Sequence, residues 1–96
     1  MNKHTPGPWY PHYAKADHCL SSSVWGQEPG NQVAVIGGKS LEAMNANARL
    51  IAAAPAMYEA LQIMVRAANV DEIDPLVMFA SIERAKGALA QAEGRG

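Results

Sequence analysis

The chain has a single cysteine, Cys19, in 96 residues. An internal disulfide is therefore excluded, and a reducing compartment is the natural setting. Charge is scarce as well: 18% of the residues are Asp, Glu, Lys or Arg, and the net charge is −1. Such a balance gives no electrostatic pull toward nucleic acid or an anionic membrane. It also falls far short of the charge carried by an inhibitor that mimics DNA. Long apolar runs are missing: the longest, Leu50 to Met57, is far below the roughly 20 residues that span a bilayer. The opening Met1-Asn-Lys-His-Thr-Pro-Gly-Pro8 lacks the apolar core of a signal peptide. The expectation is a cytoplasmic protein with neither a membrane nor a nucleic-acid partner.

Patterns that carry chemistry are also missing. His4, His12 and the adjacent His18-Cys19 match no standard zinc spacing, so they read as scattered surface and loop residues more readily than as a metal site. No serine or cysteine stands in a nucleophile motif. Neither an enzyme, a metal nor a cofactor is expected.

What is present argues for a folded chain. Hydrophobic residues make up 49% of the sequence, too many for a disordered polymer. One domain, residues 1–96, is expected, with a core small for its surface. The chain is organised around an Ala- and Leu-rich stretch from Asn45 to Leu61, broken once by Pro55. Proline inside a helix costs about 3 kcal/mol. At the first helical position it costs nothing, because that N–H has no partner anyway. The stretch therefore predicts two helices, about Leu41–Ala53 and Pro55–Ala68, meeting at Ala54-Pro55.

Ahead of them, His4-Thr-Pro-Gly-Pro-Trp9 is a rigid extended segment. Trp9, Tyr10 and Tyr13 favour a strand, with Trp9 and Tyr13 on the face turned to the helices, and Pro11 confines it to an edge or a bulge. A second strand is expected from about Cys19 to Trp25. Glu28-Pro29-Gly30-Asn31 predicts a turn. A third strand, Gln32–Ile36, reads as buried on both faces or central in the sheet, because Val-Ala-Val-Ile is unbroken. It should pair with the second as an antiparallel hairpin. Ser40 is a good N-cap. Leu41, Met44, Ala48 and Ile51 form the apolar stripe of the first helix, and Glu42, Asn45 and Arg49 a polar one. The second helix shows Met57, Leu61, Met64, Val65 and Ala68 on one face. Asn69–Ile73 is a polar connection, and Asp74-Pro75 starts a third helix whose stripe is Met78, Ile82, Ala85, Leu89 and Ala92. Strands first and helices after give an α+β class: a small antiparallel sheet of about three strands packed on two to three helices.

Three groups of residues could bind a ligand. Gly37-Gly38-Lys39-Ser40, between strand and helix, offers backbone N–H groups and a cation to an anion. A nucleotide-hydrolase loop would need glycine where Val33 stands, so a tight turn with a serine cap is the plainer reading. Arg49 presents a planar donor fork suited to phosphate or carboxylate, beside the amides of Asn45 and Asn47. The competing reading is a solvated helix face for Arg49 and a structural role for Asn47. Trp9 or Tyr10 could stack on a base, although a tryptophan is more often buried.

Two segments, His4-Thr-Pro-Gly-Pro-Trp9 and Asn47-Ala-Arg-Leu-Ile-Ala-Ala-Ala-Pro55, resemble those of a group of small proteins encoded by tailed phages and prophages. The spacing and total length are similar too, so the resemblance covers most of the chain. It departs at Ala56, Met57 and Tyr58, where the group usually has acidic and leucine residues. The resemblance implies a place of action in the host cytoplasm and carries over no catalytic residues. Small accessory phage proteins often resemble tools against host immunity. By that analogy, the expectation is a protein that sequesters an anionic small molecule such as a cyclic nucleotide signal. The small core, the Ala-rich helices that permit close packing and the aromatic-lined edge strand add the expectation of a homo-oligomer, most simply a dimer. The alternative is a protein-binding inhibitor of a host defence nuclease or another host factor.

Overall fold

A computed structural model describes residues 4–14, 21–28, 30–68 and 74–94. The predicted connection 69–73 and the His18-Cys19 pair lie outside the described residues. Three strands, β1 (Tyr10–His12), β2 (Ser22–Trp25) and β3 (Gln32–Ile36), precede three helices, α1 (Leu41–Ala52), α2 (Ala54–Ala68) and α3 (Pro75–Glu93). The α+β class read from the sequence holds.

The sheet is antiparallel with the order β1-β2-β3. Pro11 sits opposite Val24 on the outer strand, where a missing N–H costs no ladder bond. The order corrects one expectation: β3 is an edge and the serine-bearing β2 is central. An unbroken apolar run marks burial poorly here, since Val35 is 63% exposed while Ser22 and Val24 of β2 are buried. Polar atoms can occupy a central strand when a partner satisfies them, and Ser22 has two partners on hand. Between Val24 and Trp25 the β2–β3 register shifts by one residue, leaving Val33 as the extra residue of a bulge. The hairpin turn closes as expected, with Asn31 N–H donating to Glu28 C=O at 3.2 Å and Gly30 at φ 78°.

Ser40 caps α1, its hydroxyl accepting from Ala43 N–H at 3.1 Å. Met44, Ala48 and Ala52 are buried along α1, with Leu41 and Ile51 half-buried beside them. Val24, Ile36, Ala48 and Ala52 form the core, and Trp9, Val33, Ala34 and Ile51 pack around it. The helices separate at Ala53, whose N–H is shared between the carbonyls of Arg49 and Leu50 at 3.2 Å each. α2 begins at Ala54, one residue earlier than expected. Pro55 still lies in the first turn, where its missing N–H leaves nothing unpaired.

α2 and α3 form a hairpin. Met57, Ala60, Leu61 and Met64 of α2 share a groove with Ala85, Ala88 and Leu89 of α3, so the start of α2 meets the end of α3 and the pair runs antiparallel. Here the predicted stripes need correction. The buried positions are Ala60 and Ala67 on α2 and Ser81 and Ala88 on α3. Leu61, Val65, Ile82 and Leu89, expected inside, are 41–59% exposed. Small residues seven apart allow close backbone approach, and they leave the larger side chains on the rim. Asp74 caps α3 by accepting from Leu76 N–H at 2.9 Å, and Gly94 closes it at φ 77°. The molecule is elongated, 55 × 27 × 17 Å, with a radius of gyration of 15.8 Å, against about 12.5 Å for a compact chain of this length. No helix among the described residues is long and apolar enough to cross a membrane.

Candidate functional site

The residues singled out in the sequence fall in several places. At the α1 start, the Ser40 hydroxyl is spent on its cap, and Lys39 is exposed. Gly38 is needed for packing, because a Cβ there would stand 2.8 Å from the Met44 backbone nitrogen. Asn47 donates through Nδ2 to Gly37 C=O at 3.1 Å and so ties the turn to the helix.

Asn45 is fully engaged. Its Oδ1 accepts from Ala14 N–H at 2.9 Å and from Ser22 Oγ at 2.6 Å, and its Nδ2 donates to Ala14 C=O at 3.0 Å. One amide thus satisfies both backbone groups of a buried residue just beyond β1. It does what a neighbouring strand would otherwise do.

Trp9 packs against the core and donates through Nε1 to Thr5 C=O at 3.1 Å. With His4, Ala54, Pro55 and Tyr58 it lines a recess of about 270 Å³. Gly7 lies so close that a Cβ would stand 2.6 Å from Pro55 Cβ. The two segments that carry the family resemblance are therefore in contact: the Pro-Gly-Pro-Trp segment seats on the α1–α2 junction. Tyr10 is exposed on the edge strand, away from that recess.

Arg49 occupies the site with the most binding chemistry. Its guanidinium lies 5.6 Å from the centre of the Tyr13 ring, a cation–π distance. It also lies against the end of α3, where a Cβ on Gly94 would stand 2.6 Å from Arg49 Nε. A cation is favoured there, because unpaired carbonyls give a helix C-terminus partial negative charge. Gln91 holds α3 to α1 by donating to Ala52 C=O at 3.4 Å. Tyr13, Arg49, Gly87, Gln91 and Gly94 together line an open cleft of about 550 Å³, within the usual range for small-molecule sites. Among the described residues the guanidinium makes no hydrogen bond or ion pair.

Of the residues expected to share a site, Arg49 alone lines this cleft; Trp9 lines a different one. Tyr13, Gly87, Gln91 and Gly94 escaped the sequence reading. One signal could have found them. Gly87 sits in the middle of α3, where glycine costs about 0.5–1 kcal/mol relative to alanine, yet a Cβ there would meet nothing within 4 Å. Packing does not require that glycine.

A protein-family profile described as Salmonella phage P22 protein Y8K6 matches residues 1–96, and the chain belongs to that family. It is a phage protein family. No curated protein and no solved structure matches the chain.

Proposed function

We propose that the protein binds an anionic, ring-bearing small molecule, a nucleotide by class, in the Arg49 cleft and leaves it chemically intact. As a phage protein acting in the host cytoplasm, it would thereby withdraw a cyclic or linear nucleotide immune signal. The observation that carries this reading is the floor of the cleft. Gly87 keeps open a space that the described residues do not fill, next to the Tyr13 ring and a guanidinium whose donors no described residue takes up. A guanidinium fork suits phosphate oxygens, and a tyrosine ring suits a nucleobase. None of the five lining residues is a carboxylate, histidine, serine or cysteine, and the one hydroxyl among them, on Tyr13, has no base beside it in the lining, which supports holding without turnover.

Calorimetry against a panel of cyclic and linear nucleotides tests the proposal, followed by recovery of the ligand from the denatured complex. Arg49→Ala removes a charged hydrogen bond worth about 1.5–3 kcal/mol, so affinity should fall tenfold or more. Absence of binding across the panel, together with capture of a host factor, would favour a protein-binding inhibitor of a defence nuclease or another host protein. A chemically altered ligand would point to an enzyme.

A further inference from the structure

The α2–α3 hairpin is built as half of something larger. Its buried positions are Ala60, Ala67, Ser81 and Ala88, and such small side chains contribute little burial to set against the ordering of two helices. The larger apolar residues stand outside. Leu61 and Val65 on α2 and Ile82 and Leu89 on α3 are 41–59% exposed. At about 100° per residue, Leu61 and Val65 share one side of α2, and Ile82 and Leu89 share one side of α3. Leu61 and Leu89 are rims of the same groove, about 210 Å³, whose floor is Ala60, Ala85 and Ala88 and whose lining is wholly apolar. The two exposed stripes therefore form one face of the hairpin. Gly87 and Gln91 lie on the opposite side of α3, so this face is separate from the Arg49 cleft.

We propose that this face is covered by a second copy of the chain, the two hairpins packing about a twofold axis into a four-helix bundle. Area supports that occupant. Four side chains about half exposed, at about 180 Å² for a whole residue of their size, present roughly 380 Å² of apolar surface. That is within the range of the largest patch on a typical monomer. Two copies face to face would remove about 750 Å² from these residues alone, and Met57, Met64 and the stem of Lys86 carry the total toward the roughly 1,000 Å² of a specific interface.

Shape and charge support it too. Leucine rims and an alanine floor on one surface are self-complementary, because a twofold axis sets the rim of each copy over the floor of the other. Lys86 and Glu93 are the charged residues of the α3 stripe; Lys86 is paired within the chain to Glu83 at 3.4 Å, and Glu93 is engaged as well. The face therefore shows no charge pattern that would select a foreign partner. A hairpin that depends on being covered also needs a permanent partner, and a second copy is always present at equal concentration.

Sedimentation velocity of the full chain tests this. The expected species has twice the 10.2 kDa chain mass at micromolar concentration, and Leu61→Glu and Leu89→Glu should each shift it to the single-chain mass. Val35→Glu, on the exposed edge strand, should leave the dimer intact. Thermal unfolding of the unsubstituted chain over a hundredfold dilution is the second measurement, and it does not depend on the variants folding. A midpoint that falls with dilution is expected, since association stabilises by mass action. A single-chain mass with a concentration-independent midpoint would overturn the proposal. So would a dimer that folded Leu61→Glu and Leu89→Glu variants leave intact.

Discussion

Replacing Asn45 by alanine separates two roles for the same residue: ligand donor or internal bracket. The amide makes three hydrogen bonds, two to the backbone of Ala14 and one to Ser22. After Asn45→Ala, Ala14 N–H keeps the Ser22 hydroxyl at 3.2 Å. Ala14 C=O loses its donor, and the Ser22 hydroxyl loses its acceptor. Ala14 is 7% exposed and Ser22 is 2% exposed, so water replaces neither partner easily. A net hydrogen bond is worth about 1 kcal/mol, and an orphaned buried group costs about 1–3 kcal/mol. The variant should therefore lose about 3 kcal/mol, a large part of the roughly 5–14 kcal/mol expected for a chain of this length. With a urea slope near 1 kcal/mol/M, the midpoint should fall by about 2–3 M. Ser22→Ala should cost less, about 1 kcal/mol, because Ala14 N–H still reaches Asn45 Oδ1. Asn45→Asp should not rescue, since it removes the amide donor and sets a carboxylate against the Ala14 carbonyl. Urea unfolding followed by far-ultraviolet circular dichroism reads all three. A shift below about 0.5 M for Asn45→Ala would refute the bracket and return Asn45 to the list of ligand donors.

Gly87→Ala should stabilise the chain by about 0.5–1 kcal/mol through helix propensity while weakening nucleotide binding, because its methyl enters the cleft; a gain in both, by thermal melt and calorimetry, would contradict the cleft. Gly94→Ala places a Cβ at a left-handed cap, 2.6 Å from Arg49 Nε, and should cost about 1–2 kcal/mol and weaken binding by displacing the guanidinium, as chemical denaturation and the same titration would show. Val24→Ala empties a fully buried position at the centre of the sheet and should cost about 2–3 kcal/mol in a urea titration. Ser40→Ala removes the α1 cap and should cost about 1 kcal/mol while leaving nucleotide affinity unchanged; a large loss of affinity would instead place the ligand at the α1 start.

Local chemistry made much of the fold legible in advance. Pro55 could stand only at a helix start, Ser40 and Asp74 could cap, Pro11 belonged at an edge, and the Gly30 turn required positive φ. Each of these follows from a residue and its immediate neighbours, so no tertiary knowledge was needed. The site was legible only in Arg49, whose fork is suited to acceptors wherever it sits. Tyr13 on one side and Gly87, Gln91 and Gly94 on the other come from two segments more than 70 residues apart, and nothing in their spacing says that they meet at Arg49.

The sequence by itself determined the class, the element order, the helix break and the caps, because propensity, capping and turn chemistry act within a few residues. Tertiary structure decided which face of each element is buried. Ser22 could occupy a central strand only because Asn45, 23 residues later, supplies its acceptor. Three alanines and Ser81 took the interior of the α2–α3 hairpin and left Leu61, Val65, Ile82 and Leu89 outside, because two helices can approach closely only where side chains are small. Periodicity shows that a stripe exists; what packs against it determines which stripe is buried.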